Sequence, residues 1–266
     1  MKKLLYLLNI LILASCGSNE KIENDWTKDK LKGKVMSYSE YLYFQNENGD
    51  IESRQEDHKK YDDKGNKVEE SEYGSGGELI RRETNKYDEK GNRVEVNHYD
   101  SKLSFKGKAI IKYDEKGNYI EANHYDSKLS FERKFTVEYK YDEKGNKIEE
   151  NVYDSDGSLE QKQTYKYDEK GNKIEENEYD SHGNIKFTYK YDENGNEIEF
   201  RRYDNSGPIT YKYDEKGNMV EANYYNLEGS LNDKSTYKYE FDNHGNWLKR
   251  IESQGMIYRR EYKYYD

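Results

Sequence analysis

The segment Tyr167-Asp168-Glu169-Lys170-Gly171-Asn172 decides the fold, because close variants of it recur through the chain. An Asp at the start of such a segment accepts backbone N–H groups, and the Gly supplies the left-handed conformation that closes a tight turn. The Tyr of the segment recurs at positions 61, 87, 113, 141, 167, 191 and 213, and an eighth copy begins at Phe241. Spacings of 22 to 28 residues indicate an array of structural repeats.

Alternating side chains flank each of these turns, as in Gln163, Tyr165 and Tyr167 before the turn and in residues 173–179 after it. A second, weaker Tyr-Asp turn, such as Tyr153-Asp154, divides each unit into two strands. Period-two aromatic residues between Gly, Asn and Asp clusters are typical of β-hairpins. We therefore predict an all-β protein, an elongated antiparallel β-meander or β-hairpin repeat array of about 16 or more strands.

The register of each hairpin stays open at this point. A three-residue loop places Tyr167 opposite Lys173, with Ile174 on the other face, whereas a two- or four-residue loop pairs Tyr167 with Ile174. In both registers we expect Tyr to stack on Tyr between consecutive units, since cross-strand aromatic pairs stabilise a sheet.

The composition excludes several classes of protein. The chain has 266 residues, 38% of them charged, and a net charge of −10. Ile, Leu, Val and Phe make up about 14% of residues 16–266, below the roughly 20% typical of folded chains. This argues against a large enzyme core, and the acidic balance argues against nucleic-acid binding. The chain has 30 Tyr residues, and those at fixed strand positions partly replace the missing Ile, Leu and Val, which argues against disorder.

The N-terminus has the pattern of a secretory signal, with Lys2 and Lys3 before the apolar run 4–13. It ends in Leu13-Ala14-Ser15-Cys16, which resembles the lipobox of bacterial lipoproteins. The resemblance implies that Cys16 is acylated and becomes the new N-terminus, so that the protein is held on a membrane without spanning it. The alternative interpretation is an ordinary cleaved signal peptide, in which Cys16 is a lone Cys that carries no lipid.

Three regions follow from these patterns: a lipoprotein signal peptide at 1–15, a lipidated N-terminus and polar tether at 16–35, and a β-hairpin repeat domain of about eight units at 36–266. Trp26 is expected to pack on the first repeat. Gly17-Ser18 lacks the Asp that keeps some lipoproteins in the inner membrane, so the resemblance favours the outer membrane or cell surface.

The repeat pattern Tyr-x-Tyr-Asp-x-x-Gly-x-(Ile/Val/Leu), clearest at 165–174, 189–198 and 211–220, resembles the YD repeat of the RHS and teneurin families. The resemblance covers about residues 40–266 and implies strips of β-hairpins that bind carbohydrate or protein partners. About eight units are too few for the toxin-enclosing shell of large family members. A weaker resemblance is to MORN-like repeats, whose Gly-rich pattern is missing here.

Candidate chemical sites are weak in this sequence. Asp154 to Ser158 resembles the start of a calcium loop, but the twelfth position is Tyr165 rather than an acidic residue. His98 and His124 occupy equivalent repeat positions about two strands apart, too distant to share a zinc ion. We predict no enzyme activity, no catalytic residue, no metal and no cofactor, and the ligand-binding residues stay unknown.

The function predicted from the sequence is that of an envelope lipoprotein with a Tyr-rich β-repeat surface. This surface would bind glycan or protein partners, and nucleic acid is not among the expected partners. Most Tyr residues are expected to be cross-strand contacts, so ligand binding requires one sheet face to be open. Two alternatives remain: a structural surface-coat lipoprotein without a ligand, and an accessory or immunity factor of an RHS-type toxin system.

Overall fold

The computed structural model describes residues 24–45, 50–74, 76–204 and 206–266, which form one short helix, α1 (Asp25–Lys28), and 18 strands. The strands are β1 Val35–Gln45, β2 Ile51–Tyr61, β3 Lys67–Tyr73, β4 Leu79–Tyr87, β5 Arg93–Asp100, β6 Phe105–Tyr113, β7 Tyr119–Asp126, β8 Phe131–Tyr141, β9 Lys147–Tyr153, β10 Leu159–Tyr167, β11 Lys173–Tyr179, β12 Ile185–Tyr191, β13 Glu197–Arg202, β14 Ile209–Tyr213, β15 Met219–Tyr225, β16 Leu231–Phe241, β17 Trp247–Glu252 and β18 Ile257–Tyr264. The prediction of an all-β antiparallel protein with at least 16 strands is confirmed.

The sheet is closed, and this corrects the predicted elongated array. Each strand pairs antiparallel with the next along the chain, and β18 also pairs with β1, from Val35 opposite Tyr264 to Tyr43 opposite Ile257. An open array would leave the backbone groups of its first and last strands unpaired. Pairing β18 with β1 satisfies both edges, so the 18 strands form a closed antiparallel barrel.

The hairpin loops have three residues, which settles the register that the sequence left open. In the turn after β10, Asp168 N–H donates to Asn172 O over 2.9 Å, and Gly171 N–H donates to Asp168 O over 3.1 Å. Tyr167 lies opposite Lys173, and the pairing register shifts at a bulge between Lys166 and Tyr167. The same shift occurs immediately before the equivalent Tyr in β4, β6, β8 and β12. Each repeat therefore places the Tyr of its turn on one and the same face.

The barrel has two distinct ends and two distinct faces. The turns of the Tyr-Asp-Glu-Lys-Gly-Asn type, such as 168–172, lie at one end, which we call the first end. The turns that include 154–158 lie at the other, the second end. The face that carries Tyr165 and Tyr167 is the inner face, because the N-terminal segment packs on it. On the outer face, Lys86, Lys140 and Lys166 have side chains 65–68% exposed.

Apolar packing is confined to small clusters on the wall of the barrel. One consists of Val35, Tyr38 and Tyr61, against which Trp26 packs, and another contains Val96, Ala109 and Ile111. The low aliphatic content of the sequence thus corresponds to several small apolar clusters and not to one large hydrophobic core. Among the described residues, no helix has the length and apolarity needed to cross a membrane.

Candidate functional site

A ladder of Tyr hydroxyls joins consecutive repeats on the inner face near the first end. In five repeats the hydroxyl donates to the backbone carbonyl of the residue 20 positions earlier, which opens the strand after the preceding turn; in the shorter unit after β12, Tyr213 donates to Glu197 O, 16 positions earlier. The five bonds are Tyr87 to Lys67 (2.8 Å), Tyr113 to Arg93 (3.0 Å), Tyr139 to Tyr119 (2.5 Å), Tyr167 to Lys147 (2.8 Å) and Tyr239 to Met219 (2.9 Å). These Tyr residues are therefore structural links between units.

Lysine side chains separate the Tyr rings of neighbouring repeats. Lys147 Nζ lies 5.2 Å from the ring centre of Tyr139 and 4.6 Å from that of Tyr165. Lys173 Nζ lies 5.8 Å from Tyr165 and 4.3 Å from Tyr191. The predicted Tyr-on-Tyr stack is replaced here by an alternation of Tyr and Lys, held by cation–π attraction.

Glutamates three residues further on neutralise these lysines. Lys147 Nζ lies 2.6 Å from Glu150 Oε2, and their side chains are 4% and 1% exposed. Lys173 forms the equivalent pair with Glu176 at 2.7 Å. Burial lowers the pKa of Lys147, although Glu150 opposes this shift. Glu150 Oε1 is buried without a hydrogen-bond partner, so the pair is a closed, charged part of the wall rather than an open site.

The N-terminal segment 24–34 lies across the first end. Trp26 N–H donates to Gly65 O (3.2 Å), and its indole N–H donates to Val35 O (2.7 Å). Asp25 accepts from the Lys67 backbone N–H (2.8 Å) and shares the Tyr87 hydroxyl proton with Lys67 O, each oxygen lying 2.8 Å from the hydroxyl. These contacts lie on the β1–β4 side of the ring.

The same segment also binds the turn after β16, which is close to β1 in the closed sheet. Lys32 N–H donates to Asn246 Oδ1, and Asn246 Nδ2 donates back to Lys32 O, each over 2.7 Å. Segment 24–34 is therefore fixed to the first end between the turn after β16 and the turn after β4.

A cavity of about 300 Å³ lies at the second end. It is lined by Arg133, Phe135, Asp154, Ser155, Asp156 and Glu160. The guanidinium carbon of Arg133 lies 5.0 Å from the ring centre of Phe135. A ring face beside a guanidinium and carboxylates can stack on a sugar ring and hydrogen-bond its hydroxyls. This cavity is the candidate functional site.

The calcium-like segment of the sequence forms a turn beside this cavity. Asp154 Oδ1 accepts the backbone N–H groups of Asp156 (3.1 Å) and Ser158 (2.9 Å). The carboxylate therefore holds the turn. Among residues 24–45, 50–74, 76–204 and 206–266, no group of three or more His, Cys, Asp or Glu is arranged to hold a metal ion.

His98 and His124 both lie on the inner face. The His124 ring meets Phe135 edge-on at 5.5 Å, and burial, with the nearby positive charge of Arg133, lowers the pKa of His124 to about 4. Burial also lowers the pKa of His98. The Nε2 atoms of both rings are buried without partners. Both imidazoles are therefore neutral at pH 7 and belong to the wall next to the cavity.

The sequence analysis missed Arg133, Phe135 and Glu160. One signal for them was available, because the unit from Tyr113 to Tyr141 has 28 residues where the preceding ones have 26, and the 11-residue strand β8 lies within it. The predicted lipidation residue, Cys16, lies outside the described residues.

The outer face carries a belt of Lys–Glu pairs. Glu121 lies between Lys112 (2.6 Å) and Lys134 (2.9 Å) on the two flanking strands. Hydrogen bonds from both lysines and from Asn123 lower the pKa of Glu121 to about 2. The same arrangement is repeated at Glu95, Glu149 and Glu221. This charged face is built for contact with water.

Closure and 18 antiparallel strands define the class as an all-β protein with a closed antiparallel sheet. No family model matches the chain, and no curated protein matches it.

Several solved structures share part of this sheet geometry. A porin-like protein from Bacteroides uniformis is 10% identical at a TM-score of 0.40, covering 87% of this chain and 99% of that one. The Tc holotoxin pore of Photorhabdus luminescens is 12% identical at 0.30, and the match covers 81% of this chain and only 13% of that one. A putative outer membrane lipoprotein-sorting protein domain from Vibrio parahaemolyticus is 9% identical at 0.22, with coverages of 85% and 83%. With all TM-scores below 0.5, no argument about function rests on these likenesses.

Proposed function

We propose that this chain is a bacterial envelope lipoprotein, held at Cys16, which binds a glycan without catalysis through the cavity at the second end. The observation that carries the proposal is the lining of that cavity, where Phe135 offers a ring beside Arg133 and Glu160. The cavity volume of about 300 Å³ is at the lower limit of small-ligand pockets, which suits one or two sugar rings.

The charged outer face of the barrel favours attachment to the membrane through a lipid anchor over insertion of the barrel into the bilayer. A Lys or Arg side chain in the middle of a bilayer costs about 2–4 kcal/mol. The belt around Glu95, Glu121, Glu149 and Glu221 would place many such groups in lipid. A protein held by acyl chains at Cys16 keeps this belt in water, and two or more acyl chains suffice for stable attachment.

The anchor is tested with Cys16→Ala in the full-length chain. The wild type is expected to incorporate labelled palmitate and to fractionate with membranes, and the variant is expected to do neither. Membrane association that persists unchanged in Cys16→Ala would refute the lipoprotein proposal.

Binding is tested on a glycan array and by pull-down from envelope fractions, with the chain from residue 16 carrying Cys16→Ser. Arg133→Gln is expected to weaken glycan binding at least tenfold, because it removes the cation at the cavity. Lys134→Gln is the matched control: it removes the same charge from the next residue of β8, but on the outer face, where Lys134 pairs with Glu121. Equal loss in both variants, or no glycan above background, would argue for the structural-coat alternative.

A further inference from the structure

Two hairpin turns, or tips, at the second end have a leucine in the left-handed conformation, where the other described turns of that end with the same hydrogen bonds, which we call the sister turns, have glycine. Leu103 and Leu129 have φ angles of +58° and +64°. At the same turn position, Gly157, Gly183 and Gly229 have φ near +80°. The turn bonds are equivalent, since Leu103 N–H donates to Asp100 O (2.9 Å) as Gly157 N–H donates to Asp154 O (3.2 Å). A leucine is strained where glycine is not.

Neither leucine gains packing in return. Leu103 is 49% exposed, Leu129 is 57% exposed, and Phe131 beside the second tip is 56% exposed. A strained backbone that displays an apolar side chain to water serves neither local conformation nor burial. The two residues therefore have a role outside the folding of the chain.

Each tip has a lysine where the other turns of this geometry have none. One residue before each leucine is an exposed lysine, Lys102 and Lys128. The equivalent positions of the other described turns with these hydrogen bonds are Gly76, Asp156, His182, Glu228 and Gln254. The lysine offsets the Asp that opens each tip and places a cation beside the exposed leucine.

The two tips are neighbours and are held rigidly. Strands β6 and β7 pair, with Gly107 opposite Asp126, so the tips stand about 10 Å apart. Gly107 has a φ of +151° and lies so close to Tyr125 O that a Cβ there would collide with it. Beneath the tips, Tyr99 packs on Phe105 and Tyr125 on Phe131, with ring centres 5.9 and 6.1 Å apart.

We infer that the tips 100–104 and 126–130, which we call the leucine tips, dock the second end onto an anionic lipid surface. Convex hairpin ends with an exposed leucine suit insertion into the headgroup layer, and the adjacent lysines suit anionic headgroups. A flat apolar patch would instead favour a protein partner. Docking in this way would place the mouth of the cavity at the headgroup layer.

Other exposed apolar residues agree with this orientation. Among the described residues, the large apolar side chains more than 45% exposed all lie at or next to the second end: Ile51, Ile80, Leu103, Leu129, Phe131, Tyr203, Leu227 and Leu231. The turns of the first end, such as 142–146 and 168–172, consist of polar residues and glycine.

The test uses the chain from residue 16 with Cys16→Ser, which retains every described residue and carries no acyl chain. Binding is measured by co-sedimentation with vesicles of phosphatidylethanolamine and phosphatidylglycerol (3:1) and with neutral phosphatidylcholine vesicles. We expect binding to the anionic vesicles that weakens with added salt, and at least tenfold weaker binding to the neutral ones.

The decisive variant is Leu103→Gly with Leu129→Gly, which restores the residue of the sister turns. We expect at least a tenfold loss of vesicle affinity together with an unchanged or higher Tm, because the strain is relieved. Leu248→Ala, at an exposed leucine beside the first end, is the control and should change affinity less than twofold.

Three results would overturn the inference. These are a lack of vesicle binding by the parent chain, a double variant that binds as well as the parent, and a double variant with a lower Tm, which would assign the leucines to the fold. Self-association of the parent that the double variant abolishes, without vesicle binding, would identify an interface between copies instead. Since the vesicles contain no glycan, failure here leaves the proposed glycan binding untouched.

Discussion

At the scale of single residues, the inner wall relies on charges buried together rather than on aliphatic side chains. Lys147 and Glu150 are almost fully buried, and the lysine lies between the rings of Tyr139 and Tyr165. Each charge is tolerated only because of the other, since an isolated buried ion costs several kcal/mol.

Lys147→Met should destabilise the protein by about 3–5 kcal/mol, because it leaves Glu150 buried and uncompensated. The double variant Lys147→Met with Glu150→Leu should recover most of that loss, since both charges are then gone. Urea unfolding followed by circular dichroism measures both effects. If the double variant were less stable than Lys147→Met alone, the prediction would be wrong, because removing the uncompensated Glu150 charge would not have restored stability.

His124 should make the protein acid-sensitive. Burial lowers the pKa of His124 to about 4, against about 6.5 in the unfolded chain. Below pH 6.5 the unfolded state takes up a proton that the folded state does not, so its contribution is fully present above pH 6.5 and is lost towards pH 4. The loss amounts to about 2–3 kcal/mol.

The measurement is the free energy of unfolding between pH 4 and 7. His124→Phe should flatten this profile, whereas His182→Phe, at an exposed turn tip, should leave it as in the wild type. Parallel profiles for wild type and His124→Phe would contradict the assignment.

At the scale of elements, the hairpins show what local sequence determines. Asp, Gly and Asn at fixed turn positions predicted the turns, and alternation predicted the strands between them. The register was not predictable, because it depends on a bulge immediately before each Tyr, such as that between Lys166 and Tyr167. Such a bulge follows from the geometry of both strands together.

Glycines in these elements should differ in how they tolerate a Cβ. Gly145 has a φ of +87° with no atom within 4 Å of an added Cβ, so Gly145→Ala should cost about 1 kcal/mol of backbone strain. Gly107→Ala adds a collision with Tyr125 O and should cost about 2–4 kcal/mol. Thermal unfolding of the two variants compares them directly, and equal Tm values would contradict the close approach.

At the scale of the whole molecule, closure of the sheet into a barrel could not be predicted from the sequence. Eight similar units are compatible with an open strip or a ring, and only the pairing of β1 with β18 distinguishes them. These strands lie at opposite ends of the described chain and contain no local signal for each other. The cavity was missed for a different reason: Arg133 and Glu160 lie on β8 and β10, at positions that the repeat pattern does not distinguish from those of other units.

Deletion of residues 257–266, which removes β18, should open the ring and expose the edges of β1 and β17. Unpaired edges recruit other strands, so we expect the truncated chain to form larger species than the intact chain. Size-exclusion chromatography with light scattering compares the two masses. A truncated chain with the same number of subunits as the intact chain and an unchanged dichroism spectrum would contradict closure.

Adding a repeat has a different effect on a closed barrel than on a linear array. The identical stretches 97–105 and 123–131 mark a duplicated unit of 26 residues, which contributes two strands. Two strands lengthen the circumference by about 10 Å and the diameter by about 3 Å. In a linear array such an event adds length and leaves the cross-section alone. In a closed barrel each duplication instead increases the internal diameter. The number of repeat copies therefore determines how wide a ligand the barrel can admit.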